Sequence, residues 1–190
     1  MTDRYAVIGN PIGFSKSPLI HGMFAQATGQ DIEYTAIEGP LGGFAGAVDA
    51  FRALGGKGLN ITAPFKLDAF AYANERSERA QLAGAANAMK FDGDRVLAEN
   101  FDGVGLVRDV THNLVSPLKG KRVLLLGAGG AARGALLPFL EQQPAELAIA
   151  NRSVDKAHAL AKMGAAKGKV RGCAYAELVG QTFDVVFNAT

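Results

Sequence analysis

The sequence predicts an α/β protein of two domains, and three observations carry that expectation. Short apolar runs alternate with segments of helical period along the whole chain, the pattern of a parallel sheet covered by helices. An apolar run at 122–126 leads straight into Gly127-Ala128-Gly129-Gly130-Ala131-Ala132, a glycine-rich turn placed to open a helix. The character of the chain changes at Asp102-Gly103, which divides it into residues 1–102 and residues 103–190.

In the first part, Tyr5 to Ile8 reads as a strand stopped by Gly9-Asn10-Pro11-Ile12-Gly13. A helix is expected from Ser17, acting as its cap with Pro18 in the first turn, to Gly29. Ile32 to Ile37 is the second strand, and Phe44 to Leu54 a helix closed by Gly55-Gly56. Gly58 to Thr62 is the third strand, with a helix opening near Pro64. Ala88 to Phe91 and Val96 to Glu99 should pair as a hairpin across Asp92-Gly93-Asp94.

In the second part, Gly103 to Leu114 reads as one helix, followed by a connector to Lys121. After the strand and glycine turn comes a helix to about Gln143, a strand at Leu147 to Ala150 and a helix at Val154 to Met163. A weak strand near Val170 and a strand at Asp184 to Asn188 complete about four strands beyond Leu118. A doubly wound nucleotide domain typically has about six. The expectation is therefore that this 190-residue sequence is a fragment, with its nucleotide-binding part cut short.

Composition narrows the function classes. Lys and Arg number 20 against 18 Asp and Glu, a net charge of +2, which excludes an acidic tail and gives no support to a nucleic-acid partner. With 48% hydrophobic and 20% charged residues the chain is globular rather than disordered. Cys173 stands alone, so no intrachain disulfide forms, which suits a reducing compartment. The longest run without a charged residue, Ser17 to Gln30, falls short of the roughly 18 apolar residues of a membrane span. A cytoplasmic protein without a membrane partner is expected, and monomer and homodimer both stay open. His21, His112 and His158 lie far apart, so no metal-ligand spacing is present.

The glycine turn points to a dinucleotide. Gly127 permits the tight turn, Gly129 lets a pyrophosphate approach, and Gly130 and Ala131 open the helix whose N-terminus supplies donors. NAD-binding sites usually carry an Asp or Glu about 20 residues further on. This sequence instead has Asn151-Arg152-Ser153, with Lys156 one turn later. A guanidinium there pairs with a 2′-phosphate, whereas a carboxylate repels it, so the cofactor is expected to be NADP. The plain alternatives are a structural turn and a solvated Arg152.

With that turn in place, further motifs carry a resemblance. Gly9-Asn10-Pro11-Ile12-Gly13-Phe14-Ser15-Lys16-Ser17-Pro18, Asn60-Ile61-Thr62-Ala63-Pro64-Phe65-Lys66, Gly84-Ala85-Ala86-Asn87 and Asn100-Phe101-Asp102-Gly103 resemble the shikimate dehydrogenases, in order along essentially the whole chain. The Asn-x-Thr-x-Pro-x-Lys segment is the most specific of them, and the final Asn188-Ala189-Thr190 resembles the start of that family's Asn-Ala-Thr-Ser-x-Gly turn. The resemblance implies a substrate domain over 1–102, an NADP-binding Rossmann domain over 103–190, and NADP-linked, reversible reduction of 3-dehydroshikimate to shikimate in aromatic amino-acid synthesis. It further implies that Ser15 and Ser17 hold the substrate carboxylate, that Thr62, Asn87 and Asp102 hold ring hydroxyls, and that Lys66 and Asp102 form the catalytic pair. Phe101 departs from the pattern, because the family commonly has Thr there.

The chemistry agrees with that assignment. Oxidising a secondary alcohol removes a hydride from carbon and a proton from oxygen, so the protein must supply a proton acceptor and an orienting cage. Singly, each residue has a plainer reading: Ser17 as a helix cap, Lys66 as a solvated lysine, Asn87 as a turn residue, Asp102 as a cap. Phe14, Phe65 and Phe101 are expected in the core, with a pocket wall as the second reading. His21 is expected to pack rather than react, and Cys173 to be buried and inert. Competing functions are quinate or dual quinate/shikimate oxidation, and a non-catalytic NADP-binding module.

Overall fold

The computed structural model describes residues 2–190, which form two compact units. One runs to Gln81 and resumes over Ala85–Asn100; the other comprises Leu82–Gly84 and Phe101–Thr190. Among the described residues no helix is long and apolar enough to cross a membrane.

The elements of the first part are β1 (Asp3–Gly9), α1 (Ser17–Thr28), β2 (Ile32–Glu38), α2 (Phe44–Ala53), β3 (Gly56–Ile61), α3 (Lys66–Tyr72), β4 (Glu75–Arg76), α4 (Glu78–Ala83), β5 (Ala88–Asp92) and β6 (Arg95–Glu99). The strands make one sheet in the order β2-β1-β3-β5-β6-β4. β1 runs parallel to both β2 and β3, and β5 reverses the direction between β3 and β6. Strand alternation sends Ala6, Ile8, Leu59 and Ile61 to one face, where they meet Phe44 and Val48 of α2 and Phe65 and Ala69 around α3. Full burial of a side chain such as Ile8 is worth about 1.5–3 kcal/mol.

Several details differ from the expectations, each for a local reason. Ser17 does not cap α1; Lys16 occupies the cap position, and the hydroxyl oxygen of Ser15 accepts the Ser17 amide at 3.3 Å. Gly56, read as helix-closing, opens β3, and it is glycine because a Cβ there would strike the Phe51 ring of α2. The hairpin turn is confined to Gly93-Asp94, with Gly93 at φ +56°, since Asp92 still pairs with Arg95. β4 and α4 escaped the reading: β4 has two residues, too few for a pattern, and α4 is announced only by the Ser77 hydroxyl accepting the Ala80 amide.

The second unit continues with α5 (Asp102–Arg108), β7 (Arg122–Leu126), α6 (Gly130–Glu141), β8 (Glu146–Ala150), α7 (Val154–Gly164), β9 (Val170–Cys173) and β10 (Val185–Asn188). Its sheet is wholly parallel, in the order β10-β7-β8-β9. α5, α6 and α7 cover one face through a core that includes Val107, Leu125, Leu136, Phe139, Ile149 and Leu160. The single helix expected over 103–114 starts at Asp102 and widens into a π turn over Asp109–Asn113, where the Leu114 amide reaches back to the Asp109 carbonyl. The Thr111 hydroxyl donates to the Val107 carbonyl at 2.8 Å, a side-chain competitor for the ladder.

At the N-terminal ends of these strands Glu146 accepts hydrogen bonds from Arg171 at 2.9 Å and Arg122 at 3.3 Å. Burial pushes the Glu146 carboxyl up, but the Arg171 and Arg122 contacts outweigh it and hold the group below its ordinary range. α5 and α6 touch backbone to backbone: a Cβ on Gly103 would collide with the Gly134 carbonyl oxygen and lie 2.7 Å from the Ala135 Cα. Gly103→Ala should therefore destabilise the protein by about 1–3 kcal/mol, the range for overpacking a filled site. Denaturant unfolding checks this, and an unshifted midpoint would mean that α5 and α6 do not approach so closely.

Candidate active site

In open α/β sheets ligands collect where parallel strands end, because successive crossovers bring the loops to one edge. In the first unit Ile8 pairs with Ile61, so the chain leaves β1 at Gly9 directly beside Thr62 leaving β3. The two loops are stitched together. The Thr62 amide donates to the Ile8 carbonyl at 3.0 Å, and the Asn10 amide to the Ala63 carbonyl at 3.1 Å. Gly9 has no room for a side chain, since a Cβ would lie 2.5 Å from the Thr62 methyl.

Ser15 and Ser17 follow in the first of these loops and at the start of α1, both half-buried. The Tyr34 phenol lies near Ser17 and donates to Asn60 Oδ1 at 2.7 Å. Burial pushes the Tyr34 pKa up to about 12, against the opposing pull of the Ser17 contact, so the phenol stays protonated at neutral pH. Lys66 is the first residue of α3, half-buried, and its carbonyl accepts the Ala86 amide at 2.9 Å. Asn87 lies beside β3, its carbonyl accepting the Ile61 amide at 2.8 Å and its amide donating to Glu99 at 3.0 Å. The fold thus gathers Ser15, Ser17, Thr62, Lys66 and Asn87 at one end of one sheet. Asp102 belongs to the second unit, as an exposed residue in the first turn of α5.

Tyr34 and Asn60 join this cluster without having been singled out as site residues. A tyrosine in an alternating strand reads as packing, and only the tertiary link to Asn60 reveals its place. His21 stacks on the Tyr34 ring at 4.1 Å, and burial lowers its pKa. Of the three phenylalanines expected in the core, Phe65 is buried, but Phe14 is 72% exposed and Phe101 48%. Phe65 packs on Phe44, whereas Phe14 sits in the loop after β1, outside that core cluster.

In the second unit the glycine turn has the geometry its sequence predicts. Gly127 sits at φ +110°, and a Cβ on it would lie 2.5 Å from the Ala189 carbonyl oxygen beyond β10. Only glycine serves there. Gly129 is extended, and would-be Cβ atoms on Gly129 and Gly130 meet nothing within 4 Å, so the N-terminal turn of α6 is open to an approaching group. Ala132 is fully buried and packs the helix onto the sheet.

A depression of about 270 Å³ lies over this turn, walled by Gly127 to Gly129, by Asn151, Arg152, Ser153 and Lys156, and by Ala189 and Thr190. Among the described residues no acidic side chain lines it. The Asn151 amide group donates to the Ser153 carbonyl at 3.0 Å and shapes the basic turn. Gly130 and Ala131 lie on α6 beyond the wall. Ala189 and Thr190 belong to the family-like turn at 188–190 but were not among the expected site residues, because only the parallel pairing of β10 with β7 brings them level with Gly127. Two cations, open backbone amides and no opposing acid in the wall suit a dinucleotide with an additional phosphate.

Comparison with known proteins gives the same answer from another direction. Residues 7–89 match the model of the shikimate dehydrogenase substrate binding domain, and residues 109–190 that of shikimate / quinate 5-dehydrogenase. The shikimate dehydrogenase (NADP(+)) of Chromobacterium violaceum is 59% identical over 190 residues, covering 100% of this chain and 70% of that protein. The enzyme of the same name from Aromatoleum aromaticum is 55% identical over 191 residues, covering 99% of this chain and 68% of its own length. Among solved structures, an Ael1 enzyme from Pseudomonas putida superposes with a TM-score of 0.96 at 61% identity, over 100% of this chain and 69% of that one. A shikimate 5-dehydrogenase from Thermus thermophilus, solved with NADP(H) and shikimate, gives 0.87 at 30% identity, over 100% and 69% of the two chains.

Proposed function

We propose that this chain, which belongs to the shikimate dehydrogenase family, catalyses the NADP-dependent, reversible reduction of 3-dehydroshikimate to shikimate. The observation that carries the reading is the depression, without an acidic side chain among the described residues of its wall, that joins the glycine turn to Arg152, Ser153 and Lys156. NADP, held by those residues, would supply the hydride acceptor and donor for the ring carbon that alternates between ketone and alcohol. The remaining work falls to the protein. Lys66 takes the proton of the reacting hydroxyl in the oxidative direction and returns it in the reductive one, and Asp102 orients that exchange. Ser15 and Ser17 donate to the substrate carboxylate, and Thr62 and Asn87 hold ring hydroxyls. Asn151, Arg152, Ser153 and Lys156 receive the 2′-phosphate side of the cofactor, and Gly127, Gly129, Gly130 and Ala131 its pyrophosphate. This reading places the enzyme in the cytoplasm, as a monomer or homodimer, where a single buried Cys173 stays reduced.

The decisive assay mixes the protein as its gene encodes it with shikimate and NADP and follows formation of reduced nicotinamide. Shikimate-dependent turnover is expected, and its absence would overturn the reading. Quinate carries an extra hydroxyl at the carboxylate-bearing carbon, so its rate in the same assay reports on the space beside Ser15 and Ser17. Lys66→Ala should lower kcat by about 10²–10⁴-fold with little change in KM, as removal of a general acid–base group does. Near-normal turnover in that variant would move the proton transfer to another residue. Arg152→Ala should weaken NADP by about 1.5–3 kcal/mol, the worth of a charge-assisted hydrogen bond, and NAD far less. Equal losses for the two cofactors, measured by titration, would remove Arg152 from the 2′-phosphate.

A further inference from the structure

A carboxylate of the first unit that accepts four hydrogen bonds has no role in the chemistry above. Glu99, the last residue of β6, accepts the Ser77 hydroxyl at 2.6 Å, Arg79 Nε at 3.1 Å and Nη2 at 2.7 Å, and the Asn100 amide at 2.7 Å. The Arg79 contact is a two-pronged fork, and the Glu99 side chain is only 15% exposed. Burial raises the Glu99 pKa, but the Arg79 contact, then Ser77 and the Asn100 amide, prevail, so the carboxyl stays ionised below its ordinary range.

What this carboxylate holds is a chain of contacts ending at the site. Asn100 is buried, 1% exposed, and its side-chain amide donates to the Ala85 carbonyl at 3.1 Å. The next residue, Ala86, donates its amide to the Lys66 carbonyl, and Asn87 donates to the Glu99 carbonyl. Three consecutive residues of the loop after α4 are thereby fastened, one to Asn100, one to Lys66 and one to Glu99. A buried asparagine aimed at a backbone carbonyl needs its own main chain fixed, and the Glu99 carboxylate fixes it at the amide. Arg79 and Ser77, from the segment that begins α4, fix the carboxylate in turn.

We infer that Glu99, clamped by Arg79 and Ser77, is a positioning residue that sets the Ala85–Asn87 loop against Lys66 and so tunes shikimate binding. The inference rests on the function proposed above and adds a residue that touches neither substrate nor cofactor on that reading. Misplacing a binding group by about 1 Å can cost up to about 10²-fold, so a loosened loop is visible in kinetics. The test uses Glu99→Ala and Glu99→Gln in the protein as encoded, with KM for shikimate, KM for NADP and kcat measured on folded material. Glu99→Ala should raise KM for shikimate about tenfold and leave KM for NADP within about twofold. Glu99→Gln keeps an acceptor for the Asn100 amide and should recover most of the loss, to within about threefold of wild type. A merely structural role would lower the unfolding midpoint without separating the two KM values. An unchanged KM for shikimate, or an equal rise in both constants, overturns the inference. Should Glu99→Ala fail to fold, Glu99→Gln decides by the same pair of constants, a selective rise of about two- to threefold being expected. A wild-type protein without shikimate turnover overturns the functional reading and this inference together, whereas an active wild type with unmoved variants overturns this inference alone.

Discussion

Parallel pairing is the constraint on which the rest of this structure depends. A parallel ladder cannot be closed by a tight turn, so each strand returns through a crossover and the strands finish on the same edge. In the first unit the pairing of Ile8 with Ile61 sets Gly9 level with Thr62. In the second, Leu126 pairs with both Ala150 and Asn188, which sets Gly127 level with Asn151 and Ala189. A slip of one residue would turn Ile8 or Leu125 away from its core, so burial fixes the register, and the register places the polar residues. Site geometry here is a by-product of core packing.

That dependence explains which features could be read from the sequence. The glycine turn was legible because strand, turn and helix are contiguous over 122–141, and Gly127 has a steric duty that no other residue type fulfils. The segment from Asn60 to Lys66 was legible for the same reason: a strand end, a loop and a helix start follow one another without interruption. Thr190 was not, because its neighbourhood arises from β10 lying beside β7, some 60 residues away in sequence. Tyr34 likewise takes its meaning from Ser17 and Asn60, which lie on other elements.

Local misreadings have local causes. Ser17 looked like a cap because serine before proline is a common helix start, yet the amide that needed an acceptor was its own, and Ser15 was two residues nearer the loop. The run over 103–114 has helical period throughout, and periodicity alone does not distinguish an α-helical end from a π turn in which Thr111 competes for a carbonyl. β4 and α4 are short elements fixed by tertiary contact, Ser77 donating its amide to the Ala98 carbonyl of β6 and its hydroxyl to Glu99. Neither element has length enough to show a period of its own.

Charge placement in the second unit gives the last step. The formal excess of two positive charges says nothing about a ligand by itself. At the N-terminal ends of β7 and β9, Arg122 and Arg171 converge on Glu146, and Arg122 also donates its amide to Asp184, so these cations are occupied within the protein. Beyond the C-terminal end of β8, Arg152 and Lys156 flank a depression with no acidic side chain among the described residues of its wall. Exposed surface pairs contribute little to stability, so a wall that offers these two cations no acidic partner costs the fold almost nothing. Beside open amides at the head of α6, the same two charges create a local field that attracts a phosphate. The sheet therefore separates its cations, those at one end bracing strands and those at the other being the two that the proposed function assigns to the cofactor phosphate.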